Sequence, residues 1–299
     1  MSNFNVYKLF SVLAMRGIFN KMSDEKYLSY LYRSKLGKPL NLSNPVTFNE
    51  KLQWLKIHDR KPEYTTMVDK YAVKKYVADR IGKQYIIPTL GVWNSFDEID
   101  FEKLPNQFVL KCTHDSGGLV ICRNKSKFDK NRAKKKISKC LKKNFYYMGR
   151  EWPYKNVRPR IIAEEYMEDN NTKDLRDYKF FCFNGKAKLL FIVSERQNKY
   201  EETKYDYYDA NFKHLPFTNG HPNSKKAIDK PKNFELMKKL AEKLSQGIPH
   251  VRIDFYEING IVKFGEITFF TRSGWVTFVP SEWDRKLGDL INLPNCKMR

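Results

Sequence analysis

The spacing of apolar positions changes period several times along the chain, and each change predicts an element. Residues 4–19 are mostly apolar but interrupted by Lys8 and Arg16, which predicts a helix that packs on the fold or lies at a membrane surface. The chain up to about residue 60 reads as helical. A break at 37–47 leaves Ser43 or Asn44 to cap a helix beginning near Pro45. Helical spacing of Val68, Tyr71, Ala72 and Tyr76 predicts a second helix over 66–81. Short β-type runs follow at 85–93, 108–112, 118–122 and 160–167. Between them, Ala133, Ile137, Leu141 and Phe145 fall at four-residue steps and predict one buried stripe on a lysine-rich helix over 130–145. A hairpin pivoting on Asn184-Gly185 is expected over 177–195, then a strand at 205–212 and a helix at 232–246. Strands joined mostly by hairpins and mixed with helices predict an α+β fold with mainly antiparallel sheets.

The most informative pattern is "VRIDFYEINGIVKFGEITFF" at 251–270, two alternating runs about Asn259-Gly260. Arg252, Asp254 and Tyr256 share one face of the first run, and Glu266 and Thr268 share one face of the second. For the two apolar faces to coincide, Asp254 must lie across from Glu266. A plain two-residue turn pairs 258 with 261 and would send the acids to opposite faces. The pattern therefore predicts a three-residue loop or a bulge at Gly260. The resulting patch of Arg252, Asp254, Glu266 and Thr268 reads in two ways. It is either a magnesium site completed by phosphate and water, or a polar sheet surface with cross-strand pairs.

Composition narrows the classes. The 299 residues hold 41% hydrophobic positions and no long polar tract, so a folded chain with a large core is expected. No apolar run approaches a membrane-spanning length. Five scattered cysteines without a C-x-x-C pair indicate neither a disulfide framework nor zinc, and a cytoplasmic setting fits them. The formal charge of +22 implies an anionic partner. Motifs for specific nucleic-acid reading are missing. The basic helix over 130–145 reads as a solvated face or as a polyanion or membrane contact.

Neither a Walker loop nor a G-x-G-x-x-G fingerprint occurs. Instead "FVLKCTHDSGGLVIC" at 108–122 carries Lys111 in an apolar strand before Ser116, Gly117 and Gly118. A lysine there needs water or an anion, and glycines open backbone N–H groups to a phosphate. A flexible hairpin has the same letters. In "IIAEEYMED" an apolar strand turns polar at Glu164-Glu165 and runs through Tyr166-Met167, either into a loop or along the edge of a purine. Asp177 and Lys179 leave one face of their strand, as a surface ion pair or as contacts to ribose and phosphate.

In order, these pieces resemble the ATP-grasp superfamily, and most closely its TupA-like branch, associated with teichuronopeptide and capsular polysaccharide assembly. The resemblance runs from about Thr47 to the C-terminus and includes "PVTFNEKLQWLKIHDR" and "MVDKYAVKKYV". It implies an ATP-grasp fold of two lobes clasping ATP: a helical N-terminal segment over 1–62, a small lobe with the glycine loop over 63–158, and a large lobe over 159–299. It implies ATP and Mg²⁺ as cofactors. Lys70 and Lys111 would be the phosphate lysines, with Ser116, Gly117 and Gly118 beside them. Glu164, Glu165, Tyr166 and Met167 would form the adenine hinge, Glu165 and Met167 through their backbone and Glu164 near the nucleotide, and Asp177 and Lys179 would face the nucleotide. Asp254 and Glu266 would hold magnesium. Thr268 stands where many members have asparagine as a third ligand, and Arg252 would be the catalytic cation.

The implied chemistry is amide formation between a carboxylate and an amine by way of an acyl phosphate, with no side-chain nucleophile. The implied substrate is an acidic small molecule or a polysaccharide-linked precursor. Two alternatives stand beside this ligase: a phosphotransferase or glycosyltransferase of polysaccharide assembly, and a non-catalytic polyanion binder. The expected location is cytoplasmic, with peripheral contact at the inner membrane face through basic patches.

Overall fold

The computed structural model describes residues 6–170, 176–194 and 202–294. The first described elements are α1 (Val6–Met15) and α2 (Asp24–Leu36), joined through a small core of Phe10, Ala14, Tyr27 and Leu31. The helix expected from Pro45 begins at Phe48, as α3 (Phe48–His58). Thr47 takes the cap because its hydroxyl accepts from Glu50 N–H at 3.3 Å while Glu50 Oε2 accepts from Thr47 N–H at 3.0 Å. This reciprocal pair satisfies two otherwise orphaned donors, which Ser43 and Asn44 are too far upstream to reach.

The single helix expected over 66–81 is two, α4 (Glu63–Val68) and α5 (Ala72–Ile81). Asp69 breaks it: its Oδ1 accepts from the N–H groups of Tyr71 and Ala72, starting α5 afresh. Lys70 sits in the gap, and its N–H donates to Thr113 O at 3.0 Å.

A four-stranded antiparallel sheet follows, built from β1 (Thr89–Trp93), β2 (Phe108–Cys112) and β3 (Leu119–Cys122). After α6 (Lys130–Leu141) and the short α7 (Tyr146–Gly149), β4 (Ile161–Glu165) completes it in the order β1-β4-β2-β3. β4 lies past the border expected at 158, yet it pairs in this smaller sheet. α6 buries Ala133 and Ile137 against Phe101, Phe108 and Leu110, and Leu141 is partly buried there. The helix ends before Phe145, whose ring packs on Tyr154 instead.

The larger sheet is also antiparallel. It takes β5 (Asp177–Phe183), β6 (Lys186–Ser194), β7 (Lys204–Asp209), β9 (His250–Ile258) and β10 (Ile261–Thr268) in the order β10-β9-β5-β6-β7. Between β7 and β9 come β8 (Thr218–Asn219) and α8 (Phe234–Leu244). The last elements are β11 (Phe278–Val279), paired with β8, and α9 (Glu282–Asp289). One face of the large sheet packs on α8, where Phe180 meets Phe234. On the other face Phe181 and Phe183 pack against Phe48 of α3. Further along β5, that same face turns polar at Lys179 and Asp177.

The hairpin of β9 and β10 needs its extra residue, but not where the sequence suggests. Asn259 and Gly260 both adopt positive φ, 50° and 78°, and Ile258 pairs directly with Ile261. Such a two-residue turn matches the right-handed twist of its strands, so it wins over a longer loop. The register shifts instead between Phe264 and Glu266, and Glu266 then pairs with Asp254. Gly265 makes this bulge feasible, since a Cβ there would come within 3.1 Å of Asp254 O and 3.2 Å of the Tyr256 ring. Among the described residues no helix is long and apolar enough to cross a membrane.

Candidate active site

Between the two sheets lies a cavity of about 370 Å³. Its floor is the polar face of the large sheet, and one row crosses all five strands: Glu266, Asp254, Lys179, Phe191 and Tyr207, each paired with the next. A second row holds Tyr256, Asp177, Val193 and Tyr205. The floor thus grades from carboxylates through a lysine to aromatic rings. Strand alternation alone produces this, once the Gly265 bulge has put both acids on one face.

Asp254 is the hub of the polar end. Its Oδ1 accepts from Arg252 Nε at 2.7 Å, and its Oδ2 accepts from Arg252 Nη2 at 2.8 Å and Lys179 Nζ at 2.6 Å. Lys179 also lies 3.3 Å from Asp177 Oδ1. Arg252 Nη2 reaches on to Glu266 Oε1 at 2.6 Å and to the Thr268 hydroxyl at 3.1 Å, and that hydroxyl donates to Glu266 at 3.0 Å. Burial pushes the Asp254 carboxyl above its ordinary pKa despite Arg252 and Lys179 beside it. Burial also works against the charge on Glu266, but Arg252, Lys179 and Lys70 together outweigh it and hold that carboxyl at about 2. Nothing among the described residues bonds Glu266 Oε2.

The opposite wall comes from the smaller sheet and α5. Glu164 on β4 holds Lys74 and Lys111, each at 2.5 Å, one on each carboxylate oxygen. Burial opposes the Glu164 charge, yet Lys111 and Lys74 prevail and keep its pKa below the ordinary value. Lys70 Nζ donates to Asp115 O in the glycine loop. Asp115 Oδ1 accepts from Gly118 N–H at 3.0 Å, which folds the loop back over the cavity. Gly118 is required there because a Cβ would lie 2.6 Å from Cys112 Sγ, whereas a Cβ on Gly117 would meet only a distant carboxylate oxygen.

Lys70, Lys111, Ser116, Gly118 and Glu164 therefore gather around one cavity, together with Asp177, Lys179, Arg252, Asp254 and Glu266. Gly117, Glu165, Tyr166, Met167 and Thr268 lie outside its lining. Glu165 is exposed, with its N–H on Pro88 O, and the Tyr166 hydroxyl accepts from Arg123 at 3.1 Å. The Thr268 hydroxyl is occupied by Arg252 and Glu266, so it orients those two side chains. Sequence reasoning missed Lys74, although its i+4 spacing from Lys70 was a signal. It also missed Asp115, Thr271 and Arg272, for which no periodicity exists. Among the described residues no cluster of three or more His, Cys, Asp or Glu is arranged to hold a metal ion.

The sequence profile of the family described as TupA-like ATPgrasp matches residues 50–292. The chain belongs to the TupA-like ATP-grasp family. Its members' fold accounts for the two sheets facing one cleft. No curated protein matches the chain. Among solved structures, D-alanine–D-alanine ligase from Bacillus anthracis complexed with ATP is similar at 15% identity and a TM-score of 0.42, covering 76% of this chain and 63% of that one. The same enzyme from Helicobacter pylori is similar at 15% identity and TM-score 0.42, covering 82% and 69%. The ATP-grasp ligase PsnB, complexed with minimal precursor, Mg and ADP, is similar at 9% identity and TM-score 0.40, covering 87% and 66%. The chain thus spans less than two thirds of the first of these.

The charge pattern of this TupA-like chain predicts an acid limb in its stability. An ordinary glutamate takes up its proton near 4.5, while folded Glu266 resists until about 2. Between these values the unfolded chain binds protons that the folded chain refuses, so stability falls as pH drops through that window. Glu164 acts in the same direction and Asp254 in the opposite one. Solvent screens the partly exposed Glu266, so its slope is modest. Urea midpoints between pH 5 and 2.5 should fall less steeply in Glu266→Gln than in wild type; equal slopes would contradict the assignment.

Proposed function

We propose that this protein is an ATP- and Mg²⁺-dependent carboxylate–amine ligase, working through an acyl phosphate on a cell-surface or capsular polysaccharide or its precursor. The observation that carries the reading is the pairing of Asp254 with Glu266 opposite a wall of lysines in one cleft. The polysaccharide assignment rests on family resemblance.

The donor set suits a hard cation that keeps water and phosphate oxygens as its other ligands. Glu266 Oε2 has no competing donor among the described residues. Asp254 accepts three charge-assisted bonds, and a carboxylate offers about four acceptor directions. When bound there, Mg²⁺ would neutralise charge on the phosphoryl oxygens.

The remaining work falls to this chain's own residues. Lys70, Lys111 and the loop around Gly118 bind and orient the phosphates, while Ile86, Ile87 and Phe264 supply an apolar wall for the base. Glu164 holds Lys74 and Lys111 in place between turnovers, and its depressed pKa keeps that clamp charged at neutral pH. Arg252, fixed by Asp254, Glu266 and Thr268, presents positive charge where an oxyanion develops as the amine attacks. A fixed guanidinium needs no reorganisation at that moment.

ADP release that requires both a uronic acid and an amine supports the ligase. Labelled phosphate retained on the sugar identifies a phosphotransferase, and no binding of Mg·ATP by calorimetry overturns both.

We further propose peripheral contact with an anionic membrane surface. In α1 and just beyond it, Val6, Leu9, Val12, Met15 and Ile18 recur every third residue and are all exposed, while Phe10 and Ala14 anchor the other face. Exposed Lys8 and Arg16 accompany the apolar stripe, and the chain carries +22 overall. Vesicles containing phosphatidylserine should sediment the protein at low salt, and Leu9→Asp with Val12→Asp should release it. Equal sedimentation of the double variant would reject this contact.

A further inference from the structure

The aromatic end of the cavity is used by none of the groups assigned above, and it carries three features that call for a ligand. The first is backbone strain. Arg272 (φ 47°, ψ 32°) and Ser273 (φ 57°, ψ 19°) are consecutive left-handed non-glycine residues, followed by Gly274 at φ 67°. L side chains avoid this region, and such residues persist only where surrounding contacts over-determine them. Here the contacts come from α3. Buried Lys56 Nζ donates to Ser273 O at 2.8 Å and to Ser273 Oγ at 3.0 Å, and Gln53 Nε2 donates to Ser273 O and Gly274 O at 3.2 and 3.1 Å.

The second feature is an uncompensated cation. Lys74, Lys111, Lys179 and Arg252 each have a carboxylate partner in the cavity. Arg272 has none among the described residues. Its Nη1 donates to Asn219 O at 2.8 Å, which fixes the guanidinium 5.9 Å from the Tyr205 ring centroid and leaves Nη2 and Nε without a partner among those residues. The third is Thr271, 2% exposed and lining the same cavity, whose Oγ1 has no hydrogen-bond partner. A buried hydroxyl left unpaired in a cavity wall is open to whatever the cavity takes up, water or ligand.

Resting on the ligase reading, we propose that Arg272, Thr271 and Tyr205 form the recognition subsite for an anionic sugar, a ring bearing a carboxylate. The two free guanidinium donors match a planar carboxylate, the Thr271 hydroxyl matches a ring hydroxyl, and half-buried Tyr205, held between Phe191 and His221, supplies aromatic wall beside them. Tyr207 directly follows Phe191 and Lys179 in the floor row, so a ring held here lies on the sheet face that carries Asp254. Substrate class would thus be read at β7 and the 271–274 turn, apart from the nucleotide wall.

The test uses D-glucuronate and D-glucose as probes on the full chain, by saturation-transfer NMR with Mg²⁺ and a non-hydrolysable ATP analogue present. Glucuronate should bind at least tenfold more tightly than glucose. Arg272→Met and the near-isosteric Thr271→Val should each weaken glucuronate by tenfold or more while calorimetric affinity for the Mg-bound analogue stays unchanged. Thermal melts establish that each variant is folded, and the comparison of the two sugars on wild type needs no variant. Equal affinity for the two sugars, no glucuronate binding by wild type, or wild-type affinity in folded Arg272→Met would overturn the subsite. Loss of analogue binding in wild type with Arg272-dependent glucuronate binding intact would instead remove the ligase reading and leave the subsite standing.

Discussion

Glu266→Gln should reduce Mg·ATP turnover by about 100-fold or more while moving the melting temperature by no more than about 2 °C. The side chain is 41% exposed and among the described residues accepts only from Arg252 and Thr268, so its neutral isostere keeps the packing. What it removes is charge: an amide is a poor ligand for Mg²⁺ beside phosphate, and it no longer balances Arg252. Asp254→Asn makes a less clean experiment. That side chain is 1% exposed and accepts three charge-assisted bonds from Arg252 and Lys179. Neutralising it leaves two buried cations short of a partner, at a cost of roughly 3–5 kcal/mol. Turnover and stability should therefore fall together in Asp254→Asn and separately in Glu266→Gln. Wild-type turnover in either variant would remove the metal role.

The second large effect is expected at Lys56→Met. Lys56 is fully buried on α3, and its ammonium donates to Gln53 Oε1, Gly149 O, Ser273 O and Ser273 Oγ between 2.8 and 3.0 Å. It also lies 4.4 Å from the Trp275 ring centroid. Burial pulls its pKa well below a lysine's ordinary value, and the Glu151 carboxylate, itself buried, pulls the other way. Methionine preserves much of the volume but leaves those acceptors unpaired and Glu151 without its counter-charge. The cost should be about 3 kcal/mol or more, read as a melting temperature lower by roughly 5 °C or more. Because Lys56 holds the left-handed turn at 272–273, the variant should also lose affinity at the Arg272 subsite beyond what the melt accounts for. A melt unchanged from wild type would mean that the buried ammonium is dispensable.

Where strand parity controls the outcome, the sequence is legible. Asp254 and Glu266 had to share a face, and they do; only the device differs, with Gly265 and not Gly260 supplying the extra residue. The reason is local: Asn259-Gly260 already satisfies a tight turn on its own, so nothing there asks for a longer loop. Likewise Asp69 reads as one more polar letter in a helical pattern until its side chain is seen capping α5. That break is what carries Lys70 to the loop at Asp115. Side chains whose placement depends on non-repeating backbone were illegible. Arg272 and Thr271 belong to a turn held by contacts with α3, more than 200 residues earlier in the chain, and no local period encodes such a contact. Glu165, Tyr166 and Met167 lie outside the cavity lining, and at Glu165 the reason is simple. Alternation sends Glu164 into the cavity and Glu165 out of it.

In the proposed reaction a substrate carboxylate is activated as an acyl phosphate. The most direct measurement incubates the protein with Mg·ATP, an amine pool and uronic-acid precursors whose carboxylate oxygens carry ¹⁸O, followed by mass spectrometry of the inorganic phosphate released. An acyl phosphate collapsing to an amide must deliver one carboxylate oxygen to phosphate, so one ¹⁸O per phosphate is predicted. Phosphate formed without label, or retained on the sugar, would contradict the account.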